Sequence, residues 1–168
     1  DGKVHQARCS GFPGTDPTFS FWAKRGKSKN LVVYFEGGGA CWDNLTCTFP
    51  IADGLPAQVP QFFVPAVPAG ADPAAYDGIF KADHPANPVK DWSAVYIPYC
   101  TGDLHAGSAE RSYQNVGHPV LPLPSSFTLQ HRGFAAAAGL QAQDVGQQVA
   151  AHTQVLQVAL LDHHRHRE

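Results

Sequence analysis

The chain has 168 residues, of which 43% are hydrophobic and 15% charged, with a formal net charge of -2. That apolar content is enough to build a core and excludes a disordered chain. The near-neutral balance offers no clustered positive field for nucleic acid or an anionic membrane surface. No apolar run approaches the ~18 residues of a membrane span.

In chain order, Thr18 to Ala23 alternates, with Phe19 and Phe21 on one side, and reads as a strand. Lys24 to Asn30 is a polar, basic turn around Gly26. Leu31 to Phe35 is a short, nearly continuous apolar run, which predicts a buried strand. It ends in Glu36 and three glycines, Gly37, Gly38 and Gly39, where the backbone is free to turn sharply. From Pro50 to Pro88 proline recurs with Gly54, Gly70 and Gly78, predicting a long loop held by Phe62, Phe63, Tyr76, Ile79 and Phe80. A loop of that length in a small domain is usually functional or mobile.

Ala94 to Ile97 predicts a second buried strand, introduced by Asp91-Trp92-Ser93 and followed by a turn at Thr101-Gly102-Asp103. Ala106 to Pro124 reads as irregular. Beyond Pro124 there is no proline, and Val145, Val149, Leu156 and Leu160 share one helical face. This predicts a helix over roughly 135–161, weakened by ~1 kcal/mol at each of Gly139 and Gly146. A polar tail with His163, His164 and His166 closes the chain. The absence of Met and of a basic-then-apolar leader is what a processed or partial product would show.

Chemistry concentrates in a few places. A strand that runs into three glycines lets backbone N–H groups converge without side-chain obstruction, and such a nest suits an anion or a developing oxyanion. A plain tight turn is the bland alternative. Phosphate binding is disfavoured, because the triplet has no Gly-Lys-Ser/Thr ending and no Gly-x-Gly-x-x-Gly occurs. Asp103 and His105 stand two residues apart at a strand end; such an Asp ordinarily caps a turn and such a His packs or donates one hydrogen bond. Ser108 follows Gly107 but precedes Glu110 and Arg111, so it reads as a loop serine. The terminal histidines read as a solvated tail, not a metal site. Asn44-Leu45-Thr46 fits a glycosylation sequon, a tripeptide that also occurs by chance. Cys9, Cys41, Cys47 and Cys100 lack the paired spacing of structural zinc; their even number permits two disulfides, with three connectivities open, and an oxidising compartment.

Val33-Tyr34-Phe35-Glu36-Gly37-Gly38-Gly39-Ala40-Cys41-Trp42, with Cys47 close behind, and Val95-Tyr96-Ile97-Pro98-Tyr99-Cys100-Thr101-Gly102-Asp103-Leu104-His105-Ala106-Gly107 together resemble the pectinacetylesterase family. Gln130-His131-Arg132-Gly133-Phe134 resembles the entry to the helix that precedes the family's nucleophile. The resemblance implies an α/β fold: here the N-terminal portion of an α/β-hydrolase-like sheet with long Pro/Gly-rich loops and a C-terminal helical stretch, residues 1–134 being family-like and 135–168 a helical or disordered tail. It implies oxyanion-hole donors at Gly38 and Gly39, and disulfides Cys41–Cys47 and Cys9–Cys100. It also implies a Ser-Asp-His triad with Ser on a Gly-x-Ser-x-Gly elbow. No such elbow occurs, so the nucleophile and its partners are not expected in this chain.

The expected function is therefore the N-terminal part of a secreted or periplasmic serine esterase. It would act on an acylated polysaccharide or other ester substrate, without cofactor or metal, without nucleic acid as partner and without a membrane span. A catalytically inactive remnant or binding module is the alternative.

Overall fold

The computed structural model of the protein describes residues 7–138 and 156–159. Four strands form one sheet in the order β2-β3-β1-β6: β1 is Ser20–Lys24, β2 Leu31–Phe35, β3 Ser93–Ile97 and β6 Leu156–Ala159. β2 and β3 are parallel, with Leu31 opposite Ser93 and Phe35 opposite Ile97. β1 is antiparallel to both β3 and β6. Because β2 and β3 run the same way, their carboxyl ends coincide. The glycine triplet and the Tyr99–His105 turn therefore leave the sheet at the same end, the end where open α/β sheets place their ligands.

The two faces of this sheet are built differently. One buries Phe19, Phe21, Ala23, Val95 and Ile97 against the Cys9–Cys100 disulfide. Full burial of each Phe, Val or Ile removes enough apolar surface from water to contribute roughly 1.5–3 kcal/mol. On the other face Tyr34 stacks on Tyr96 at 5.4 Å, and Trp22 meets Tyr96 edge-on at 5.6 Å. The Pro-rich loop returns over them through Tyr76 and Phe80, at two short 3-10 turns, Pro73–Ala75 and Gly78–Phe80.

A second unit is the antiparallel hairpin of β4, Ala109–Gln114, and β5, Ser126–His131. Its inner residues Tyr113, Phe127 and Leu129 pack with Phe12 and Phe63 on the Cys41–Cys47 disulfide. Between those cysteines lies a single-turn helix, α1 (Asn44–Thr48), closed by a reciprocal cap between Asp43 and Thr46. Helix α2, Gly133–Ala138, follows the hairpin.

Three expectations are corrected. β2 is not buried: it is the sheet's edge strand, and Leu31, Val33 and Phe35 are 47%, 42% and 46% exposed. An apolar run specifies a strand, whereas burial needs a second layer, and the described residues that cover Val95 and Ile97 leave the edge strand largely open. The stretch from Ala106 to Pro124 is not wholly irregular, since β4 occupies Ala109–Gln114. That strand is created by pairing with β5 and carries only one deeply buried side chain, Tyr113, so alternation did not betray it. The helix expected over 135–161 is helical within Gly133–Ala138, but Leu156–Ala159 is a strand on the edge of β1. Leu-Gln-Val-Ala alternates with period two, and the β1 edge supplies its ladder. Val145, Val149, Leu160 and the histidines at 163, 164 and 166 lie outside the described residues.

Candidate functional site

The β2 ladder ends where the Glu36 N–H donates to Ile97 O at 2.9 Å. Glu36 then acts as a post. Its Oε2 accepts the Tyr99 N–H at 3.0 Å, its side chain bonds the Tyr96 hydroxyl, and its carbonyl accepts from His105 Nε2 at 2.8 Å. Burial first, and then the bond to Glu36, push the Tyr96 phenol far up, so it stays a donor. The next residues are held from the opposite side. Val64 N–H donates to Gly38 O at 3.0 Å, and Ala40 N–H donates to Phe62 O at 2.8 Å. Among the described residues, the N–H groups of Gly37, Gly38 and Gly39 find no acceptor.

Two of these glycines are required by geometry. Gly39 has φ +77°, and a Cβ there would overlap the Phe62 carbonyl. A Cβ at Gly38 would stand 2.5 Å from the Tyr99 ring. Gly37 has open space around it. The turn is thus pressed between Phe62-Val64 and Tyr99, with no acceptor for its donors among the described residues.

Asp103 and His105 do not form a relay. Asp103 Oδ1 accepts from Thr101 Oγ1 at 2.6 Å and from the His105 backbone N–H at 3.1 Å, while Oδ2 accepts the Gly133 N–H at 2.7 Å. The His105 ring turns away to Glu36. A carbonyl only accepts, so Nε2 carries the proton, and the buried Nδ1 has no partner. Leu104 and His105 have φ of 57° and 61°. Two successive left-handed non-glycine residues cost roughly 1–2 kcal/mol each. They are held there by the Leu104 N–H to Tyr99 Oη bond at 3.0 Å and by the Asp103 and Glu36 contacts.

His131 is buried under the same turn. Its Nδ1 bonds Thr101 O at 3.1 Å and its Nε2 bonds Tyr113 Oη at 2.8 Å. Burial holds its pKa below the ordinary histidine value, against the pull of Asp103. Arg132 pairs with Glu110 at 2.7 Å. The structure places Ser108 exposed just before β4, away from any strand-to-helix elbow. Asn44 is exposed at the start of α1, but Thr46 of the same tripeptide is buried and bonded to Asp43.

The cysteines pair as Cys9–Cys100 and Cys41–Cys47, the connectivity the resemblance implies. The first joins the N-terminal segment to the end of β3. The second ties the segment after the glycine turn to α1, and Cys41 N–H also donates to Gly102 O at 2.8 Å. A cleft of about 430 Å³ lies elsewhere, floored by Trp22 and Tyr96 under the 73–83 loop, and none of the three glycines lines it. No group of three or more metal-ligating side chains gathers among the described residues.

Sequence reading found the glycines and the Asp103 turn. It passed over Glu36, Tyr99 and Val64, which set the turn's direction. The available signal was Glu36 itself, a carboxylate at the end of an apolar strand. A sequence model of the pectinacetylesterase family matches residues 2–133. No curated protein and no solved structure matches the chain.

Proposed function

The chain belongs to the pectinacetylesterase family, and we propose that it forms the N-terminal, oxyanion-holding portion of a serine esterase that hydrolyses O-acyl esters, acetyl groups on a polysaccharide among them. The observation that carries this reading is the set of unpaired N–H groups at Gly38 and Gly39, at the carboxyl end of β2. In the α/β-hydrolase fold a loop after an early strand donates to the tetrahedral intermediate, and one such donor contributes about 2.7–4 kcal/mol of transition-state stabilisation. The parallel β2–β3 pair supports that fold for residues 1–134. Two disulfides support an oxidising destination, secreted or periplasmic. This chemistry calls for no metal or cofactor: in the complete enzyme Ser attacks the acyl carbon and His passes the Ser proton to the leaving alcohol. Water activated by the same His then attacks the acyl-Ser and releases the acid and the free Ser, and the glycine N–H groups hold the negative oxygen of each tetrahedral intermediate.

A second reading follows from the serines. None of them stands in a Gly-x-Ser-x-Gly sequence, and Ser108 is an exposed loop residue. On that reading the chain is an inactive remnant or binding module that keeps the loops alone. A chimera separates the two, joining residues 1–134 to the downstream half of another pectinacetylesterase that carries the elbow. Turnover of p-nitrophenyl acetate and labelling of the elbow serine by a fluorophosphonate support the esterase reading. A folded chimera with neither activity supports the remnant, and stoichiometric labelling of Ser108 in the unmodified chain overturns both.

A further inference from the structure

We propose that His105 is a positioning residue that aims the glycine donors through the carbonyl of Glu36. The inference deepens the oxyanion reading above and rests on it for its meaning in catalysis. In a trans peptide the C=O and the following N–H point in opposite directions, and no cis bond occurs among the described residues. Holding Glu36 O inward at 2.8 Å from His105 Nε2 therefore turns the Gly37 N–H outward. The Val64 N–H does the same two residues on, holding Gly38 O and turning the Gly39 N–H outward. The peptide between Gly37 and Gly38 has no bond of its own and is stretched between these two pinned planes, so the Gly38 N–H takes its direction from both.

Only the His105 end of this clamp depends on a side chain, and the backbone around it is unusual. Leu104 and His105 are both left-handed, a conformation a relaxed turn would give to glycine. Such an outlier is retained where surrounding contacts over-determine it, and it clusters at functional sites. Here the contacts are three: Tyr99 Oη on the Leu104 N–H, Asp103 Oδ1 on the His105 N–H, and Glu36 O on the ring. The ring sits edge-on to Phe35 at 5.3 Å and to Tyr99 at 5.0 Å, which fixes its plane. Tyr99 is also the ring that a Cβ at Gly38 would strike, so one aromatic side chain supports both the clamp and the turn.

The test is ¹⁵N relaxation on the full chain, with His105→Ala, His105→Gln and His105→Asn. The Gln amide nitrogen reaches the position of Nε2, whereas the Asn amide reaches only that of Nδ1. Wild type and H105Q should give Gly37 and Gly38 order parameters near ~0.85, and H105A and H105N should drop below ~0.6, with β1 and β3 unchanged. Should H105A fail to fold, the Gln–Asn pair still decides, since both keep an amide of similar polarity. Unmoved order parameters in a folded H105A, or equal values for Gln and Asn, overturn the clamp. The readout needs no ester turnover, so an inactive chimera with a mobile H105A turn would overturn the esterase reading and leave the clamp standing.

Discussion

Asp103 Oδ2 accepts the backbone N–H of Gly133 at 2.7 Å, joining the turn after β3 to the first residue of α2. The carboxylate fills the space where a side chain at Gly133 would begin, and the backbone of His105 closes it from the other side. Gly133→Ala is therefore expected to destabilise the fold by ~2–3 kcal/mol, the range for forced overpacking. Asp103→Asn places an amide against the N–H donors and should cost ~1.5–3 kcal/mol, as for a lost charge-assisted hydrogen bond. Urea unfolding of the two single variants and the double would show costs that fall well short of additive, since one contact is removed twice. Full additivity would mean that the two residues stabilise the chain separately.

The strained turn gives a prediction of opposite sign. Leu104 is 71% exposed and has φ 57°. Leu104→Gly sacrifices little packing, keeps the N–H bonded to Tyr99, and removes a left-handed penalty of roughly 1–2 kcal/mol, offset by the extra ~0.5–1 kcal/mol of backbone entropy that glycine loses. A net gain of up to ~1.5 kcal/mol is expected in thermal or urea unfolding. A clear loss would show that the Leu104 side chain has a packing role.

The two disulfides should contribute unequally. Cys9–Cys100 closes a separation of 91 residues and Cys41–Cys47 one of 6. In the loop-entropy account the long bridge is worth ~4–5 kcal/mol and the short one ~2 kcal/mol. Cys→Ala pairs measured by urea unfolding should rank in that order. The short bridge should matter more for the glycine turn, because Cys41 is two residues from Gly39.

Burial depresses the pKa of His131 and of His118, so the folded chain binds fewer protons than the unfolded chain just below the ordinary histidine value of ~6.5. Stability is then fully present above pH ~6.5 and declines as the pH falls from there toward the depressed values. Asp103 opposes the shift at His131, and Arg111 reinforces it. His131→Gln should flatten the decline between pH 7 and 5 in thermal unfolding. An unchanged slope would assign the dependence to other groups.

How much of this was legible in the sequence differs by element. β1 and β3 could be read because their apolar residues share one covered sheet face, Phe19 and Phe21 beside Val95 and Ile97 against the Cys9–Cys100 disulfide. β2 could be read as a strand but not as an edge, since Val33 and Phe35 have the same composition whether covered or open. β4 was hidden, because Glu110, Arg111 and Ser112 are all exposed and only the register with β5 makes them a strand. The glycines announced themselves. His105 reads in the sequence as a residue that packs or donates one hydrogen bond, which it does, but its acceptor Glu36 O and the contact from Val64 were not legible, because both join distant parts of the chain.

Of the two donors in the oxyanion reading, the Gly38 N–H is the one a substitution can isolate, because Gly39 tolerates no side chain. Proline at 38 removes that donor but also brings a Cβ against Tyr99, so a loss of activity in Gly38→Pro alone would be ambiguous. Gly38→Ala supplies the control: it brings the same Cβ to the same ring and keeps the N–H. In the chimera, after circular dichroism confirms folding, the ratio of kcat between the Ala and Pro variants isolates the donor, and it should reach ~100-fold or more with little change in KM. Gly37→Ala sets the baseline, because its Cβ points into open space, and it should stay within ~0.5 kcal/mol of the parent in stability. Gly39→Ala is the extreme case. Its φ and the Phe62 carbonyl both forbid a side chain, so the turn must open and kcat should fall even though every N–H is retained. Equal kcat values for folded Gly38→Ala and Gly38→Pro would remove Gly38 from the oxyanion hole and leave that position as a turn glycine.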